Sequence, residues 1–155
     1  ASAPELFQRL VHVSTIAPDP GADVIEMSAR RMTADRSEAV NRSFFDEAMP
    51  AAERFGLKFC NDMAEGQAAA FLAKLGLDNW PRSSYEFSDW RYDVRGPVPV
   101  SFVLCLRDAV LPLPWQERFA ALLGATSTPR IDAGHQVMNS RPHALAEVLL
   151  AEAAA

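Results

Sequence analysis

The chain has 155 residues, 49% hydrophobic and 23% charged, with Lys+Arg 15 against Asp+Glu 20 and a net charge of −5. That is the length of one domain with a sizeable core, and with no basic run longer than Arg30-Arg31 the acidic balance argues against a nucleic-acid partner. No apolar run approaches the roughly 18 residues that suggest a membrane span, and no charged start leads into an apolar stretch as in a signal peptide. Two cysteines, Cys60 and Cys105, are too few for a disulfide framework, so the expected setting is a reduced, cytoplasmic one.

The first predicted element covers residues 10–16, a continuous run rich in β-branched residues. It reads as a strand buried on both faces, as in a parallel sheet, ended by the turn residues Pro18, Pro20 and Gly21. From residue 23 to 95 the pattern turns to short helices broken by Pro50, Gly56 and Gly76. The clearest helix is 65–75, with Ala68, Phe71, Leu72 and Leu75 on one face, Asn61 or Asp62 as its cap and Gly76 at its end. An irregular aromatic stretch follows, containing Trp80, Tyr85, Phe87, Trp90 and Tyr92.

After Pro97 strands and helices alternate. A strand is expected over 98–106 and a helix over 114–123, with Trp115, Phe119 and Leu122 on one face and Gly124 closing it. A short strand over 128–132 precedes a last helix that starts at Pro142 and turns Leu145, Val148 and Leu149 toward the sheet. Such alternation predicts an α/β fold with a parallel sheet and right-handed crossovers. Three strands cover little core, so the chain reads as the edge half of a larger sheet.

In a parallel sheet all strand C-termini share one edge, and neighbouring strands lie about 4.8 Å apart. Asp108 follows the strand 98–106 and His135 follows the strand 128–132, so the two side chains are placed to meet. An imidazole, with its reference pKa of about 6.5, takes and returns a proton near neutrality. A carboxylate on its other nitrogen fixes the tautomer and stabilises the imidazolium. Gly134 permits an unusual backbone angle or a close approach beside the histidine.

The segments Cys105-Leu-Arg-Asp-Ala-Val-Leu-Pro-Leu-Pro-Trp-Gln-Glu-Arg-Phe119 and Ile131-Asp-Ala-Gly-His-Gln-Val-Met-Asn-Ser-Arg-Pro142 strongly resemble the C-terminal end of α/β-hydrolases, most closely the small esterase and hydroxynitrile-lyase branch. The opening run 9–21 resembles the family's sixth strand and its exit toward the cap, and the segment Phe59-Cys-Asn-Asp-Met63 resembles the cap of bacterial members. The resemblance covers nearly the whole chain. It implies the C-terminal half of an α/β-hydrolase fold, with residues 1–22 and 96–155 as core and 23–95 as a mainly helical cap. It makes Asp108 the acid and His135 the base of a Ser-Asp-His triad.

No Gly-x-Ser-x-Gly elbow occurs in the chain. The resemblance therefore implies either the C-terminal piece of a nicked or truncated enzyme or a separate chain that supplies the first half of the fold. Because an unpaired edge at residues 10–16 would be hydrophobic and sticky, the expected partner is an N-terminal half on a separate or nicked chain, bringing the nucleophile and the oxyanion hole, and this chain alone is not expected to turn over. The leading reading is a carboxylesterase-like hydrolase of small or medium esters, needing no cofactor. Alternatives are a hydroxynitrile-lyase-type enzyme, for which the cap sequence does not clearly supply the extra cationic group, and a non-catalytic binding module on the same fold.

Trp80, Phe87 and Trp90 either pack the cap onto the body or line an acyl or alcohol pocket, and Met138 either packs or touches substrate. His12, in mid-strand, reads as a core histidine and His143 as a solvated one; no histidine pair has zinc-ligand spacing, so no metal is assigned. Ser14 and Ser140 lack glycine-flanked turns and are not read as nucleophiles. Cys105, inside a strand, is expected to be inert.

Overall fold

A computed structural model describes residues 4–75, 82–92 and 96–155. Its sheet has three parallel strands in the order β1-β2-β3: Leu10–Val13, Val100–Cys105 and Arg130–Ile131. Between β1 and β2 lie α1 (Val24–Glu26, running into a π-turn at Met27–Arg31), α2 (Glu38–Phe45), α3 (Ala51–Phe59), α4 (Glu65–Leu72) and α5 (Arg82–Glu86). Then α6 (Leu113–Leu122) joins β2 to β3, and α7 (Val137–Ser140) and α8 (Pro142–Ala153) finish the chain.

The central strand explains the layering. Every residue of β2 is buried, and its side chains alternate between faces, as a pleated strand requires. Val100, Phe102 and Leu104 join Met27, Met32, Leu111, Phe119 and Leu123 in one core. Val103 and Cys105 join Ile131, Ala133, Val137 and Leu145 in a second. The sheet is thus covered by α6 and the α1 region on one side and by α7 and α8 on the other. Gln116, fully buried in α6, ties that helix to the end of β2. Its amide accepts from the Cys105 N–H at 2.8 Å and donates to the Cys105 and Leu111 carbonyls at 2.9 and 2.7 Å.

Several boundaries differ from the sequence reading, each for a local reason. β1 stops at Val13 because Ser14 takes a left-handed backbone, φ 40°, and its four residues are half-buried rather than buried on both faces. Among the described residues β1 has a single neighbouring strand. Gly56 lies inside α3 instead of breaking it; one glycine weakens a helix by only about 1 kcal/mol, and α3 packs along α2. α4 ends at Leu72, and Ala64 rather than Asn61 or Asp62 occupies its N-cap. Ala68, Phe71 and Leu72 are its half-buried residues, whereas Leu75 is exposed. The last strand shrinks to two residues. In α8, Leu145 is buried and Leu149 exposed, while Ala144 takes up the packing. Gly76 lies outside the described residues.

Candidate active site

The register places the acid and the base together. Cys105 pairs with Ile131 across β2 and β3, so Asp108 stands three residues beyond one strand position and His135 four beyond its partner. The Asp108 carboxylate is fully buried in its side chain, and Oδ2 meets His135 Nδ1 at 2.7 Å. Its other oxygen, Oδ1, accepts from the backbone N–H groups of Val110 and Leu111, both at 2.8 Å. Ser14 adds a fourth donor, its hydroxyl reaching Oδ2 at 2.5 Å. Four donors on one carboxylate lock its rotamer. Facing this acceptor, Nδ1 of His135 carries the proton and Nε2 remains as the basic nitrogen.

Sequence reasoning discarded Ser14 as a nucleophile but missed its place in the site. Ser14 Oγ is committed to Asp108, and its own N–H extends the ladder onto Val103 O at 3.1 Å. The signal lay in the topology: the residue after a neighbouring parallel strand reaches the same edge as Asp108.

The histidine loop is wedged against the helical region. The Phe59 ring lies nearly parallel to His135, centroids 5.6 Å apart at 23°. Asn61 Nδ2 donates to Arg107 O at 2.7 Å, tying the end of α3 to the turn that carries Asp108. At Gly134 the requirement is close approach: a Cβ there would stand 2.6 Å from Asn61 Oδ1 and 2.7 Å from Asp62 Oδ1.

His135 opens onto a cavity of about 460 Å³. Ile16, Val24, Phe44, Phe55, Phe59 and Leu111 give it apolar walls, and Lys58 and Arg36 supply positive charge. Burial, helped by the nearby Arg54 and Arg36 guanidiniums, pulls the Lys58 ammonium down to about 8. A second, open hollow of about 560 Å³ lies along α2 and holds neither Asp108 nor His135.

Of the other predicted site residues, Phe87 and Trp90 pack edge to face, 4.8 Å apart, and the Trp90 indole donates to Phe87 O at 2.9 Å. Met138 is exposed on α7. None of these three is a lining residue of the cavity beside His135, and Trp80 lies outside the described residues. His12 is half-buried and stacks on Phe102 at 6.3 Å, burial lowering its pKa; His143 is exposed. Ser140 is buried, with no hydrogen bond to its hydroxyl. Both cysteines are free, and burial pushes the Cys105 thiol up to about 12, with Asp108 and Asp62 adding to the shift. Among the described residues no three His, Cys, Asp or Glu side chains converge as a metal site needs, and no helix is long and apolar enough to cross a membrane.

Solved structures share this arrangement of strands and helices. Polyneuridine aldehyde esterase superposes over 98% of the chain with a TM-score of 0.70 at 17% identity. An extracellular α/β-hydrolase from a Paenibacillus species, described as homologous in structure and function to tobacco salicylic acid binding protein 2, matches 96% at 0.67 and 18% identity. Tomato methylketone synthase I, as a histidine variant with β-ketoheptanoate, matches 97% at 0.66 and 15% identity. This is the α/β-hydrolase fold. The chain spans less than two thirds of these proteins, 64% of the first two and 63% of the third. No protein-family model and no curated protein sequence matches it.

Proposed function

We propose that the chain supplies the acid and the base of a Ser-Asp-His esterase acting on small or medium esters. The observation that carries this reading is the 2.7 Å contact between His135 Nδ1 and a buried, four-donor Asp108 carboxylate at the C-terminal edge of the sheet. Residues 23–95 then form the cap and the remainder the core half. The nucleophilic serine and the backbone donors for the oxyanion belong to an N-terminal half of the same fold. β1 offers the place for it, since its outer edge has no partner strand among the described residues, and such an edge invites pairing. The two free thiols suit a reducing, cytoplasmic compartment.

In the assembled site the serine hydroxyl attacks the ester carbonyl while Nε2 of His135 takes its proton. The imidazolium, held by Asp108, then protonates the departing alcohol. Water repeats the cycle on the acyl-enzyme, and the acid product leaves with His135 neutral again. Buried Asp108 orients and stabilises the ring and itself holds no proton in this cycle.

The test is hydrolysis of a short-chain nitrophenyl ester by the assembled protein, with and without His135→Ala. Turnover is expected to fall by at least about 10³-fold; unchanged turnover rejects the assignment. One observation favours the lyase alternative more than the sequence did: Lys58 is a cationic group inside the cavity. A cyanohydrin-cleavage assay beside the ester assay separates the two, and absence of serine labelling by a fluorophosphonate points to the non-catalytic module.

A further inference from the structure

Among the described residues Lys58 is a cation without a counterion. It projects from α3, one residue before the Phe59 that stacks on His135, and both lysine and histidine line the same cavity. Its Nζ sits 4.1 Å from the Phe44 ring centroid and 5.8 Å from that of Phe55. Among the described residues no carboxylate pairs with it and no hydrogen bond reaches it, and no acidic residue lines the cavity. The other cations nearby do not relieve it. Arg36 is occupied with the Val110 and Ser28 carbonyls at 2.7 and 2.8 Å, and Arg54, one turn back on α3, leaves its buried Nε without a partner. The remaining titratable groups facing the cavity are Tyr85 and His135; Asp108 lies behind, engaged by His135 and Ser14.

A half-buried ammonium among aromatic rings and like charges is destabilised as an ion unless an anion joins it. Cation–π contacts position it but do not neutralise it. We infer that Lys58 receives the carboxylate of an otherwise apolar ligand, so that this cavity favours esters that carry a free carboxylate besides the ester group over neutral ones. Phe44, Phe55 and Phe59 give the ligand body its apolar walls, and Arg36, whose guanidinium lies over the same Phe44 ring as Lys58, adds positive field. The inference deepens the esterase reading and rests on that cavity being the substrate site. The binding it describes needs no turnover.

The experiment compares phenylacetate with its neutral isostere phenylacetamide, bound to the assembled protein bearing His135→Ala and followed by calorimetry. At pH 7 the acid is expected to bind at least 10-fold more tightly than the amide. In Lys58→Met the ratio is expected to fall to about one, and in Lys58→Arg, which keeps the charge, to stay well above one. Because the Lys58 ammonium loses its proton from about pH 8 upward, acid affinity is expected to decline between pH 8 and 9.5 while amide affinity holds. A wild-type ratio near one, or a ratio that survives Lys58→Met, overturns the inference. Turnover of monomethyl against dimethyl adipate by the unmutated assembly separates the two readings. Hydrolysis of both at equal kcat/KM leaves the esterase standing and sinks the role of Lys58. No hydrolysis of either, with the binding ratio intact, sinks the esterase and leaves an anion-binding cavity.

Discussion

At the scale of single residues, the site depends on two positions whose backbones are placed for the sake of neighbours. Ser14 sits at φ 40°, the left-handed region, which disfavours any side chain by about 1–2 kcal/mol, and its hydroxyl bonds to Asp108. A hydrogen bond to a charged group contributes about 1.5–3 kcal/mol, enough to hold the strain. Ser14→Ala is therefore expected to lower stability by that amount, whereas Ser14→Gly loses the same bond but relieves the backbone and falls short of that loss by about 1 kcal/mol. Urea unfolding of the pair reads the difference, and equal losses mean the φ carries no strain. Gly134 is the reverse case, a residue chosen for what it lacks. The Asn61 and Asp62 side chains fill the space its Cβ would need, so Gly134→Ala must push the histidine loop off the end of α3. A loss of about 1–3 kcal/mol, as for other overpacked sites, is expected, together with a fall in the ester turnover proposed for the assembled protein. Wild-type values for both place the contact outside the mechanism.

Between elements, the Gln116 amide spans α6 and the end of β2. Gln116→Leu keeps the volume but strands the buried Cys105 N–H and the Leu111 carbonyl, and each unsatisfied group costs about 1–3 kcal/mol. A loss of about 2–4 kcal/mol in the unfolding free energy, read from denaturant titration, is expected, and a neutral substitution refutes the clamp. This residue also shows where sequence reading runs out. The 3.6-residue pattern of Trp115, Phe119 and Leu122 revealed the helix, but Gln116 reads in that pattern as a solvated face. Only the three-dimensional return of α6 onto β2 makes it a core residue. Asp108 and His135 were legible because parallel strands deliver both to one edge by rule. Lys58 was not, because whether a lysine on a helix points to solvent or into a cavity depends on how that helix docks.

Across the whole molecule, the two edges of the sheet have different work. The C-terminal edge carries Ser14, Asp108 and His135; the opposite edge is held by a single carboxylate. Glu152, in the last turns of α8, accepts from Ser127 Oγ at 2.6 Å and from Ser101 Oγ and lies 3.5 Å from Arg9. It thereby joins the final helix to β2, to the approach to β3 and to the residue before β1. The parallel layering was readable from the order of strands and helices, whereas the two-residue length of β3 was not, because that strand is held by its pairing with β2, where Leu104 and Leu106 donate to the Pro129 and Ile131 carbonyls at 2.8 and 2.9 Å, and by the Glu152 tie to Ser127 just before it. The two serine hydroxyls, with Arg9 assisting, hold the Glu152 carboxyl below its ordinary range. A carboxylate with a lowered folded-state pKa adds stability above its unfolded pKa of about 4.3 and loses it as pH falls through the folded value. Wild-type protein should therefore weaken more steeply on acidification below about pH 4.3 than Glu152→Gln, which keeps the shape and removes the titration. Denaturant midpoints from pH 7 down to pH 3 measure this, and parallel acid limbs in the two proteins mean that Glu152 does not couple the closing helix to the sheet.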